Sequence, residues 1–178
     1  MPAPAPLLLN QATAALSSPD GDGLTAGLAG LERALSVSCP RHALAEAAVV
    51  TQRMRRYMRR DFYFVSVGLF FARGAAAQRA GCALREAAEA ARGLEEALAE
   101  MPPAPAWPQP PWSLRVRLLS PRCAALLRLV CRIDAAISRL LALEAAGLID
   151  ARSRRELARP ALAGLAAVKR SLIGKERP

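Results

Sequence analysis

Trp112-Ser113-Leu114-Arg115-Val116-Arg117-Leu118-Leu119-Ser120-Pro121, with the apolar run that follows it to Asp150, decides how this chain is read. Leu114, Val116 and Leu118 alternate with Ser113, Arg115 and Arg117, the period-two pattern of a strand with one buried face. Ser120 then offers a hydroxyl to an orphan amide, and Pro121 brings a fixed φ suited to the first helical position. Leu126, Val130, Ile133, Ile137 and Leu140 recur at spacings of three and four, as on one face of an α-helix. Gly147, just past the last turn, is a candidate left-handed cap.

On this pattern the segment is the only strand expected in the chain. A lone strand leaves its N–H and C=O groups without ladder partners, so it pairs with another copy of itself or stays an exposed edge. Antiparallel pairing of two chains would set four arginines on one side of a two-stranded ribbon, a shape that enters the DNA major groove. The plainer alternative is an edge strand, or an extended linker, that touches no DNA.

Working outward toward the N-terminus, residues 102–112 are rich in proline and form a stiff, extended linker, with Trp107 and Trp112 as possible anchors. Before it, Leu84, Ala88, Ala91, Leu94 and Leu98 form one stripe of a helix from about Ala75 to Glu100, and Glu86, Glu89, Glu95, Glu96 and Glu100 make its other faces acidic. This helix is expected to fold back at Arg73-Gly74 on a longer one from Pro40, carrying Leu44, Ala48, Thr51, Met54, Met58, Phe62, Val65 and Leu69. The middle of that longer helix holds Arg53, Arg55, Arg56, Arg59 and Arg60, either a second phosphate contact or a solvated face. The uncharged run Phe62–Ala72 is shorter than the roughly 20 residues a bilayer requires, so it reads as the most buried helical segment rather than a membrane span. Residues 24–101 thus form a helical region with a long hairpin, opened by a short helix through Leu24, Leu28, Leu31 and Leu35. Residues 1–23 read as a mobile arm.

On the C-terminal side, Ser153-Arg154-Arg155-Glu156 has the pattern of a capping box, with Ser153 as cap and Glu156 reaching back. Leu157, Ala161, Leu165, Val168 and Leu172 carry the last helix, which Gly174 ends. A basic loop at a helix N-terminus suits phosphate, which makes Ser153, Arg154 and Arg155 candidate DNA contacts; the alternative is an ordinary exposed cap.

Hydrophobic residues make up 53% of the 178, enough for a core, but aromatics are only 4%, which favours closely packed helices over a deep ligand cavity. The net charge is +10, and residues 113–178 alone hold fourteen basic and five acidic side chains. The basic third suits an anionic partner such as double-stranded DNA, and the acidic helix suits a protein contact. Cys39, Cys82, Cys123, Cys131 and the single histidine, His42, have no metal-ligand spacing, and no glycine-rich phosphate loop is present. Neither an enzyme nor a cofactor is expected. A cytoplasmic location is, since nothing suggests a signal peptide or a disulfide framework.

Strand, helix, turn, helix is the order of the ribbon-helix-helix unit, here over residues 113–178. Residues Leu114 to Pro121, the long helix after them and Ala146-Gly147-Leu148-Ile149-Asp150 also resemble the AcaB-type transcriptional regulators and related proteins of integrating conjugative elements. That resemblance implies a homodimeric, DNA-binding regulator carried on a mobile element, with Arg115 and Arg117 at reading positions. Arg122 joins them as a candidate contact. It stands with Cys123 where these proteins often carry a tyrosine after Ser-Pro, and the following helix is longer than the compact unit uses. The expected fold class is therefore mainly α, a helical hairpin plus a C-terminal strand-helix-helix unit. The competing function is an all-helical adaptor of a conjugation or secretion apparatus whose arginines are simply solvated.

Overall fold

The structure is a computed structural model and describes residues 43–105 and 108–173. The expected arm over 1–23, the helix through Leu24 and Leu35, Pro40, Trp107 and the stop at Gly174 lie outside the described residues.

Two segments pair as an antiparallel ribbon, β1 (Ala43–Val49) and β2 (Trp112–Leu118). The strand expected to be alone thus finds its ladder partner inside its own chain. The long helix expected through Leu44 and Thr51 is instead β1 followed by two helices, α1 (Gln52–Arg60) and α2 (Phe62–Phe71). The sequence of β1, Ala-Leu-Ala-Glu-Ala-Ala-Val, is poor in strand formers and fits helical spacing equally well. Pairing decides the matter: Ala47 and Val49 are buried, while Leu44 is 60% exposed on the outer face.

Thr51 caps α1, its hydroxyl accepting the Met54 N–H at 3.4 Å. At Asp61 the helical ladder continues, from the Asp61 N–H to the Tyr57 carbonyl and from the Val65 N–H to the Asp61 carbonyl, so α1 and α2 meet at a bend. Contrary to expectation, α2 is not the most buried segment: Phe62, Val65 and Leu69 are enclosed, but Phe64 and Phe71 are more than half exposed. The chain then turns at Gly74, at φ +51°, into α3 (Gly74–Ala99).

The deepest element is α4 (Pro121–Ala145), capped as the sequence predicts by Ser120, which accepts the Cys123 N–H at 3.3 Å. Its stripe of Leu126, Val130, Ile133, Ile137 and Leu140 is buried throughout. It ends as expected at Gly147, φ +71°, with the Leu148 N–H on the Leu143 carbonyl and the Gly147 N–H on the Glu144 carbonyl. The last helix, α5 (Ala151–Ile173), differs in its cap. The Asp150 carboxylate accepts the Ser153 N–H at 2.6 Å, so Ser153 lies inside the first turn, and Glu156 pairs with Arg152 rather than reaching back. The same hydrogen bond holds the Asp150 carboxyl below its usual range.

With α1 and α2 counted as one bent helix, two strand-helix-helix halves follow one another. Thr51 and Ser120, the two hydroxyl caps, stand 69 residues apart. Shifting the ladder by that number returns the same ladder: Ala43 opposite Leu118 becomes Trp112 opposite Val49, and Glu46 opposite Arg115 maps onto itself. The ribbon register thus has a two-fold axis at Glu46 and Arg115. Away from the ribbon, α3 and α5 form the most extensive helix–helix contact among the described residues. Ala80, Ala83, Ala87 and Ala91 are buried on one helix, Ala158 and Ala161 on the other, and small side chains bring the backbones close. Ala87 and Gly164 meet there, each thirteen positions past the first residue of its helix.

Asp134 fastens α4 to the end of β1. Its carboxylate is 2% exposed and accepts the Val50 N–H at 2.6 Å, the Thr51 N–H at 2.9 Å and the Thr51 hydroxyl at 2.6 Å. Asp134→Ala strands two backbone amides and a hydroxyl, so urea denaturation should show a loss of about 2–4 kcal/mol. A glycine pair tests the helix crossing. A Cβ on Gly164 would lie 2.8 Å from the Ala87 Cα, whereas one on Gly93 meets nothing within 4 Å. Gly164→Ala should destabilise by about 1–2 kcal/mol through overpacking. Gly93→Ala should stabilise by up to about 1 kcal/mol through helix propensity. Equal and positive shifts in both would contradict the close approach.

Candidate nucleic-acid interface

Helical geometry splits the five arginines of α1 between two faces. Arg55 donates to the Pro110 carbonyl at 2.6 Å, and the Arg59 guanidinium lies 5.1 Å from the centre of the Trp112 ring. Both therefore hold the proline-rich segment and the start of β2. Arg53, Arg56 and Arg60 face the other way and line a cleft of about 600 Å³ against Leu162, Leu165 and Lys169 of α5. A neighbouring cleft of about 580 Å³ shares Gln52, Arg53, Leu162 and Ala166 with it and adds Arg154, Arg155 and Arg159. The fold thus joins the α1 arginines to those at the start of α5, roughly a hundred residues away in sequence.

Few of these charges are spent inside the chain. Lys169 bonds Asp61 at 2.6 Å, Arg154 pairs with Glu144, and Arg155 donates to the Ala151 carbonyl at 2.9 Å. Arg53, Arg56, Arg60 and Arg159 make no ion pair among the described residues. Arg159 and Lys169 are cleft residues that the sequence reading missed. The four-residue step from Arg155 to Arg159 was the available signal. Ser153, expected to cap the helix with its hydroxyl, instead gives its backbone N–H to the Asp150 carboxylate, and its side chain bonds the same group. The floor of the first cleft holds Tyr57, whose buried hydroxyl has no hydrogen-bond partner. Burial, with Asp61 nearby adding to it, pushes that phenol well above its ordinary value of 10.0.

The ribbon forms a second surface. Its outer face carries Ser113 and Arg115, both exposed, and the half-buried Arg117 from β2, with Leu44, Glu46 and Ala48 from β1. The four arginines expected from two paired chains are therefore not assembled: β1 sets Glu46 opposite Arg115 and Leu44 opposite Arg117. The Arg117 backbone N–H donates to the Tyr63 hydroxyl at 3.5 Å, so α2 covers part of the outer edge of β2. Arg122 is exposed at the second position of α4, and Arg53 is exposed at the second position of α1. Each follows the end of its strand, so the two lie beyond opposite ends of a ribbon about 20 Å long. The acidic helix is partly engaged within the chain: Arg132 grips both oxygens of Glu95, at 2.8 and 2.5 Å, and this hydrogen bonding lowers the Glu95 carboxyl from its usual range.

A crystal structure of selenomethionine-containing AcaB from uropathogenic Escherichia coli has a similar fold. The TM-score is 0.59 and the sequence identity 17%, with 75% of this chain and 78% of that one covered. No protein-family model and no curated protein matches the sequence. Among the described residues, no helix is long and apolar enough to cross a membrane.

Tyr57 gives a pH test of the cleft. Its folded-state phenol holds its proton where the unfolded one releases it, so stability should decline as pH rises above about 10. Thermal melts between pH 9 and 11 should show that decline in the parent chain and less of it in Tyr57→Phe. Absorbance titration should show one of the two tyrosines ionising late.

Proposed function

We propose that this chain is a sequence-specific DNA-binding transcriptional regulator of the AcaB type, acting on a mobile element. The observation that carries the reading is the two-stranded antiparallel ribbon with Arg115 and Arg117 on its outer face. The fold likeness to AcaB and the resemblance of residues 114–121 to AcaB-type regulators support it. A two-stranded ribbon fits the major groove, which is about 12 Å wide. Residues two apart on a strand are separated by about 6.8 Å, the rise of two base pairs, so each arginine can meet its own base edge. A guanidinium donating to O6 and N7 of guanine discriminates that base, while lysine keeps the charge without the planar fork.

Phosphate contacts fall to Arg53 and Arg122, at helix N-termini beyond the two ends of the ribbon, and to the cleft arginines Arg56 and Arg60. The ladder no longer calls for a second chain, so a homodimer is not part of the recognition unit in this reading. The competing adaptor function draws on exposed Phe64 and Phe71, which suit a protein partner.

Binding to DNA flanking the protein's own gene, measured by fluorescence anisotropy at several salt concentrations, separates the two. Arg115→Lys and Arg117→Lys should each lower discrimination against random DNA by roughly tenfold, equivalent to about 1.4 kcal/mol, and leave random-DNA binding nearly unchanged. Replacing Arg53, Arg56 and Arg60 together by alanine should weaken binding to all sequences and reduce the log–log salt slope by up to about three. Replacing Arg55 and Arg59 should lower stability and leave the slope alone. No binding at any salt concentration favours the adaptor.

A further inference from the structure

We infer that one chain is the complete reading head and that the DNA site it reads is not an inverted repeat. This rests on the DNA-binding reading above.

In a ribbon made by two identical chains, the two-fold axis relates each side chain to itself, so both halves of the site meet the same chemistry and the preferred site is palindromic. Here the axis passes through the Glu46–Arg115 pair and relates Leu44 to Ser113, Glu46 to Arg115 and Ala48 to Arg117. These six positions are the outer face of the ribbon, and each related pair differs in chemistry. The β2 side presents guanidinium donors at Arg115 and Arg117, suited to guanine O6 and N7. The β1 side presents a carboxylate at Glu46, which can only accept, as from cytosine N4, and an apolar Leu44, 60% exposed, suited to a thymine methyl.

The supports of the ribbon keep the symmetry that its face has lost. Hydroxyl caps at Thr51 and Ser120 and exposed arginines at Arg53 and Arg122 recur at the same offset of 69. Phosphate contacts would therefore hold the ribbon evenly across the groove while the bases on its two sides are read differently. The Tyr63 hydroxyl, which receives the Arg117 N–H on the outer edge of β2, further opposes extension of the ribbon by a second chain there.

Selection of bound duplexes from a random pool with the full chain, followed by native mass spectrometry of the complex, tests this. The expected result is one non-palindromic site and one chain per duplex. Ala48 is exposed and faces Ser113 across the ladder, so Ala48→Arg places a guanidinium at the position related to Arg117 without setting two like charges opposite each other. That variant should gain a guanine preference at the position symmetric to the one Arg117 selects, making the site more nearly palindromic, with its circular dichroism unchanged. Glu46→Gln should relax the central base preference and raise affinity for random DNA. A parent chain that selects an inverted repeat and binds it as two copies overturns the inference and leaves DNA binding intact, as does an Ala48→Arg variant with the parent's site unchanged. Absence of any selected or random DNA binding overturns the reading beneath it.

Discussion

The carboxylate of Asp134 fastens the two halves of the chain together. It is enclosed by apolar neighbours on α4, and burying it is tolerable because three donors at the β1–α1 junction converge on it. Those donors fix where β1 stops. Thr51 is thereby held as the cap of α1, which sets the direction in which Arg53, Arg56 and Arg60 leave the helix. The symmetric position in the first half, 69 residues earlier, is the buried Val65 of α2. There the junction is held differently: the Cys123 thiol donates to the Ser66 carbonyl at 3.3 Å. The fold repeats its backbone and fastens its two junctions with different chemistry.

A second constraint comes from the proline-rich segment before β2. Prolines carry carbonyls but no N–H, so such a segment cannot satisfy itself with ordinary ladders or helices. Arginine donors from two helices serve it instead: Arg55 on the Pro110 carbonyl and Arg139 on the Met101 carbonyl at 3.2 Å, with Arg59 stacked on Trp112. Part of the chain's basic excess is therefore structural. Other basic side chains face outward on the ribbon, at the two helix N-termini beyond it and in the clefts along α5.

Where the sequence carried strong local signals, the expected structure followed. Alternation in β2, Ser-Pro before α4 and Gly147 after it each reflect a backbone requirement met by few residue types. The outward Arg115 on β2 followed from the same alternation. β1 was hidden because alanine and glutamate do not favour strands, and its conformation is imposed by β2 and by burial of Ala47 and Val49. The internal repeat was hidden because what recurs is backbone and capping chemistry, while the side chains differ, with Glu46 standing where the second half has Arg115. The cleft between α1 and α5 depends on a packing of helices distant in sequence, which periodicity along one helix does not encode. The displaced α5 cap shows the limit of pattern matching: Ser153 and Glu156 fit a capping box, but the Asp150 carboxylate takes the Ser153 N–H.

The tether between β1 and β2 has a consequence for how the ribbon comes into being. A ribbon shared by two chains exists only in proportion to their encounter, so its population falls as copies become scarce. Here residues 50–111 join the strands covalently, and pairing is a first-order event whose equilibrium is indifferent to dilution. A single molecule newly released from a ribosome already carries both strands of the ribbon. Its abundance can fall to a handful per cell without the ribbon coming apart.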